Sequence, residues 1–156
     1  MNDKPQTDSP STEIRQENIK MDKGFVARLP KGTDLLESIT SEFKKRSVKK
    51  AAFSLIGALD KAVMGFYDPV ARVYNYKEFA GPLEIVSCIG NVSEKDGEIF
   101  VHAHIVISGE DFLCYGGHLA AGCPIFAAEL SAAEIPGSVP KRGFDEPTGL
   151  FLWSEW

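Results

Sequence analysis

The chain contains three histidines, and all of them fall within FVHAHIVISGEDFLCYGGHL, Phe100 to Leu119. His102 and His104 stand two apart in a β-branched, alternating stretch, and strand side chains two apart share a face of the sheet. Gly109, Glu110 and Asp111 read as a turn, and Phe112 to Leu119 as the returning strand. A turn centred on Glu110 sets His118 across from His102 and Gly116 across from His104. Opposed residues of an antiparallel pair have Cβ atoms roughly 5 Å apart, so three imidazoles would converge beside a residue without a side chain. Neutral imidazole suits zinc and other divalent transition metals, and three such ligands leave one tetrahedral position for water or a small-molecule ligand. The competing reading makes one or two of them hydrogen-bonded core residues and the third exposed.

Metal-assisted catalysis also needs an acid or a base. Glu84, inside the apolar stretch LEIVSCI, is the first candidate catalytic residue, and Glu129 the second. Glu84 could instead pair with Arg72 or sit at a subunit interface, and strand parity across the Glu94–Gly97 turn leaves this open. Cys114 shares the expected face of His118, although such a cysteine is more often a small buried hydrophobe. Gly116 and Gly117 suit either an open pocket or close packing.

The elements that must position these residues follow from the patterning. At 156 residues the chain is one domain's length, long enough to bury a core. It is 44% hydrophobic and 25% charged, an ordinary globular composition. Residues 1–20 are polar and read as a flexible tail ahead of a domain over 21–156. No apolar run spans a bilayer, and the N-terminus lacks the apolar core of a secretory signal. The three cysteines, Cys88, Cys114 and Cys123, fit a reducing compartment, so a cytoplasmic location is the expectation. A net charge of −5 gives no global attraction to nucleic acid.

Phe25 to Leu29 alternates as a first strand. Asp34 followed by Glu37 resembles a capping box, with Thr33 as the alternative cap. Leu35 or Leu36, Ile39 and Phe43 then form the apolar face of a helix running to about Arg46. Lys44, Lys45, Arg46, Lys49 and Lys50 make the only basic cluster. It is either a phosphate-contacting nucleic-acid patch or a set of cations complementing the helix C-terminus, and the second is favoured.

From Ala51 the pattern turns to β. Ala51 to Leu59 is nearly all apolar, as in a strand covered on both faces. Lys61 to Tyr67 continues it, and Asp68-Pro69 turns. Ala71 to Phe79 is a further strand punctuated by Gly81-Pro82, and Leu83 to Val92 another. Asp96-Gly97 is a hairpin signal. A strand starting at Pro124 would set Ile125, Ala127 and Glu129 on one face. The stretch after Pro136 reads as loop until Leu150 to Trp153. The sum is an α+β fold: a largely antiparallel sheet flanked by one or two helices in a single domain.

Several phrases in this order, RLPKGTDLLESI, SLIGALDKAVMGFYDP, GPLEIVSCIGNVS, VHAHIVIS and GGHLAAGCPIFAAEL, resemble the PPC family, the plants-and-prokaryotes domain, in its stand-alone prokaryotic form. They cover about Phe25 to Ile135. The resemblance implies an antiparallel sheet with flanking helices and assembly into homotrimers. It also implies a three-histidine metal site, which His102, His104 and His118 match residue by residue. Plant members carry the domain beside AT-hook segments and act in transcription, and related bacterial chains are often called DNA-binding. No AT-hook core occurs here, and Arg142-Gly143 lacks the rest of one. Acetolactate decarboxylases hold zinc through a similar HxH and a later histidine in a related fold, an analogy of site toward metal-dependent lyase or hydrolase chemistry that does not transfer the reaction. Three functions of different class are therefore expected in competition. They are a trimer with an open metal site for a small molecule, a DNA-binding protein using the basic cluster, and a scaffold with a structural metal.

Overall fold

Asp34 ties the helix to the sheet. Its Oδ1 accepts the Glu37 N–H at 3.0 Å and caps α1 (Leu35–Arg46), and its Oδ2 accepts the N–H groups of Gly122 and Cys123 at 2.7 and 2.8 Å. The helix closes at Ser47, whose backbone adopts a left-handed conformation and whose N–H bonds the Lys44 carbonyl. Leu35, Ile39 and Phe43 are fully buried, and burying each side chain of this kind contributes roughly 1.5–3 kcal/mol. Phe43 packs against Phe25 and Phe53 at centroid distances of 5.5 and 5.7 Å.

The computed structural model describes residues 23–155, and the expected tail at 1–20 lies outside the described residues. Among them are one helix and eight strands: β1 (Lys23–Leu29), β2 (Ala51–Asp68), β3 (Val73–Lys95), β4 (Glu98–Ser108), β5 (Cys114–Leu119), β6 (Ile125–Glu134), β7 (Lys141–Asp145) and β8 (Leu150–Glu155). The sheet order is β1-β6-β2-β5-β4-β3-β7-β8, with β2 also paired to β3. Every pairing is antiparallel except the contact of β3 with β7. The fold is thus mostly antiparallel β with one helix, in a single domain.

Several expectations need correction. The strands around Gly81-Pro82 are one 23-residue strand: the chain continues through these residues because irregularities between Leu59/Lys61 and Leu55/Gly57 absorb the register shift against β2. Ala51 to Leu59 is covered on one face only. Ala51, Phe53 and Leu55 are buried while Ala52, Ser54 and Ile56 are exposed. In β6, Ile125 is buried but Ala127 and Glu129 face outward. The pairing steps from Ala58–Ala127 to Leu59–Ile125, and the extra residue, Phe126, reverses the facing. The stretch Lys141–Asp145, expected as loop, is β7, paired with β8.

Candidate metal centre

Alternation along β4 decides where the histidines go. Val101, Ala103, Ile105 and Ile107 are buried in the same cluster as the apolar side chains of α1. His102 and His104 therefore stand on the opposite face, away from the helix. The partner strand supplies the third. His118 pairs with His104 in β5, and Val106 pairs with Gly116. The register is thus two residues from the expected one, which opposed His118 to His102. The turn is centred on Asp111 because its Oδ1 accepts the Leu113 N–H, with Phe112 left-handed and bonded back to Gly109. A shift of two keeps parity, so His118 remains on the same face.

The three side chains come together. Ring centroids lie 5.3 Å apart for His102–His104, 5.1 Å for His102–His118 and 5.5 Å for His104–His118. One ligand atom from each falls within 4.8 Å of the others. His104 is exposed and the other two are half-buried. The His118 Nδ1 is buried and has no hydrogen-bond partner among the described residues, a cost that a bound ion would relieve. Burial pushes His102 down to about 4, with the charges of Arg142, His118 and His104 adding to it. Burial likewise lowers His118, followed by His104 and Arg142. Both are neutral at pH 7, the form that binds metal. Donor chemistry, convergence and protonation all fit a divalent transition metal.

Residues outside the histidine hairpin build the wall. Arg142 of β7 donates from Nε to Ser93 Oγ at 2.8 Å, from Nη2 to Asn91 Oδ1 at 3.0 Å and from Nη1 to the Phe151 carbonyl at 3.0 Å. Asn91 and Ser93 are the cross-strand partners of His102 and Phe100, which puts the guanidinium beside the cluster. Tyr74 of β3 packs on His118 at 5.0 Å between centroids. Together with Tyr67, Phe100 and β8 these residues enclose a cavity of about 310 Å³ that opens onto His102 and His118. Sequence reasoning missed Arg142 and Tyr74. For Tyr74 the signal was the loose alternation of Ala71 to Phe79, which offers it for packing, and for Arg142 it was only the short stretch Lys141–Asp145, hidden between turn residues.

The other candidates lie elsewhere. Glu84 is exposed, opposite Ala58 and Ser108. Ser108 is four residues along β4 from His104, roughly 13 Å at strand rise. Arg72 meets Glu146 at 3.9 Å rather than Glu84. Glu129 is exposed in β6, opposite Arg28 and Ile56. Cys114 is exposed and pairs with Ser108 at the far end of the hairpin. The basic cluster is largely matched internally. Lys44 pairs with Glu98 at 3.0 Å, Lys45 and Arg46 with Glu42 at 2.9 and 3.4 Å, and Lys49 with Glu94 at 3.3 Å. Lys50 is buried, its Nζ 3.3 Å from the Pro136 carbonyl. No helix among the described residues is long and apolar enough to cross a membrane.

Known proteins bear on this site. The Plants and Prokaryotes Conserved (PCC) domain matches residues 16–136. No curated protein matches the chain. The structure is similar to that of a metal-containing protein from Archaeoglobus fulgidus, at 42% identity, a TM-score of 0.86, and coverage of 91% of this chain and 100% of that one. It is also similar to a plant- and prokaryote-conserved protein from Pyrococcus horikoshii, at 33% identity, a TM-score of 0.85, and coverage of 92% and 99%. The α-acetolactate decarboxylase of Bacillus subtilis strain 168 shares the fold alone, at 11% identity, a TM-score of 0.54, and coverage of 84% and 60%. With most of its length matched by the domain and by these relatives, the chain belongs to the Plants and Prokaryotes Conserved domain family.

Proposed function

We propose that His102, His104 and His118 hold one divalent transition metal, zinc first among them, with a remaining position open to water or a small-molecule ligand, in a homotrimeric protein. The convergence of three imidazoles on one face carries the proposal. The buried, unpartnered His118 Nδ1 supports it, as does the metal-containing relative at 42% identity. When bound, such a metal supplies a Lewis acid and a water acidified toward neutral pH. The chain's own residues shape what reaches it: β7 and β8 wall the cavity, and Tyr74 packs against the His118 ring.

Elemental analysis of the untagged protein, beside a variant with all three histidines changed to alanine, tests the metal. About one ion per chain in the wild type, absent from a variant that remains folded, is the expected result. Absence of metal after reconstitution with zinc, iron and nickel would end the proposal. Metal loss that unfolds the chain would instead mark a structural ion.

A further inference from the structure

The cavity beside the histidines has an unusual charge for this molecule. The chain carries a net charge of −5, yet Arg72, Lys95 and Arg142 line the cavity and, among the described residues, no aspartate or glutamate does. Two of the three cations retain capacity. Arginine has five N–H groups, and Arg142 commits one each from Nε, Nη1 and Nη2, leaving one on each terminal nitrogen. The Lys95 ammonium lies 3.6 Å from the Phe151 ring centroid and has no carboxylate partner among the described residues. Arg72 is partly compensated by exposed Glu146 at 3.9 Å. Phe100, Phe151 and Tyr74 give the same cavity apolar walls.

We infer that this cavity binds a small organic carboxylate, its anionic end met by Arg142, Lys95 and Arg72 and its body lying on the aromatic walls next to the histidines. The inference rests on the proposed metal reading and names its ligand class. Three cations offset only by the exposed Glu146 beside Arg72 repel one another in a half-enclosed site, and a bound anion reduces that cost. A metal ion at the histidines adds positive charge and strengthens the demand. Guanidinium hydrogen bonds to carboxylate are charge-assisted and geometrically suited to its paired oxygens. The volume, about 310 Å³, is at the small end for ligand cavities, which favours a compact acid over a nucleotide or a peptide.

The test is calorimetric titration of the zinc-loaded full chain with benzoate and with its neutral counterpart benzamide, repeated on Lys95→Gln and Arg72→Gln. These two variants leave the histidines and Arg142 untouched. Benzoate is expected to bind on the order of tenfold more tightly than benzamide, and each variant to lose a comparable factor for benzoate alone, as expected for a hydrogen bond to a charged group. Equal affinities for the acid and the amide, or benzoate binding indifferent to both substitutions, would overturn the carboxylate site. Zinc content measured in the same samples separates the two proposals. Protein that takes up no zinc refutes the metal centre, and the benzoate–benzamide comparison still decides the anion site.

Discussion

At the residue scale, the site depends on keeping imidazoles uncharged. His102 is lowered first by burial and then by Arg142, whose guanidinium is fixed by Asn91 and Ser93 on the strand facing it. The sign of the pH effect follows. The folded-state value, about 4, lies below the ordinary 6.5, so the unfolded chain binds more protons between those values. The stabilisation from neutral His102 is complete above the unfolded value and is lost as pH falls toward 4. Metal-free protein should show a falling Tm across that window, and His102→Gln should flatten part of the slope. A Tm in the variant with the wild-type pH slope would remove His102 from the explanation. Arg142→Met should raise the His102 pKa, read from imidazole NMR shifts, without restoring 6.5, because burial is the larger cause.

At the element scale, one aspartate and one glycine hold the frame. Asp34 caps α1 and also fastens the Gly122–Cys123 turn. Asp34→Ala should cost about 2 kcal/mol in denaturant unfolding, the upper range for a lost cap; a loss of only a few tenths would show that the turn holds without it. Gly90 sits in β3 against Phe53 and the His102 carbonyl, and a Cβ there would strike both. Gly90→Ala should destabilise by about 1–3 kcal/mol, as overpacking does, and should disturb metal uptake because β4 must shift. Much at this scale was legible in sequence. The capping pair Asp34/Glu37 and the i, i+4, i+8 spacing of Leu35, Ile39 and Phe43 specify the helix locally. Asp96-Gly97 specifies the β3–β4 hairpin in the same way, both residues taking positive φ. The face shared by His102, His104 and His118 was also legible, since parity survives a register error of two. What was not legible depends on tertiary pairing. The continuity of β3 past Pro82, the bulge at Phe126 and the docking of the β7–β8 hairpin on β3 that delivers Arg142 are set by neighbours distant in sequence.

At the scale of the whole molecule, the face away from α1 carries exposed apolar side chains among the described residues. Ile56, Val86 and Ile89 are 58, 50 and 60% exposed, and Ile89 is the cross-strand partner of His104. Exposed apolar side chains grouped beside a functional cluster suit a subunit contact, in keeping with the proposed homotrimer. Native mass spectrometry should give three chains per particle, and Ile89→Asp should shift the population to single chains. A wild-type protein that is monomeric at all concentrations would refute the assembly while leaving the histidine cluster intact.

The metal centre itself is tested most directly by diffraction from zinc-reconstituted crystals, with data collected on either side of the zinc absorption edge. The expected result is one anomalous peak per chain, about 2.0–2.1 Å from a nitrogen of each of His102, His104 and His118. Zinc bound elsewhere, or no peak among the three imidazoles, would contradict the site.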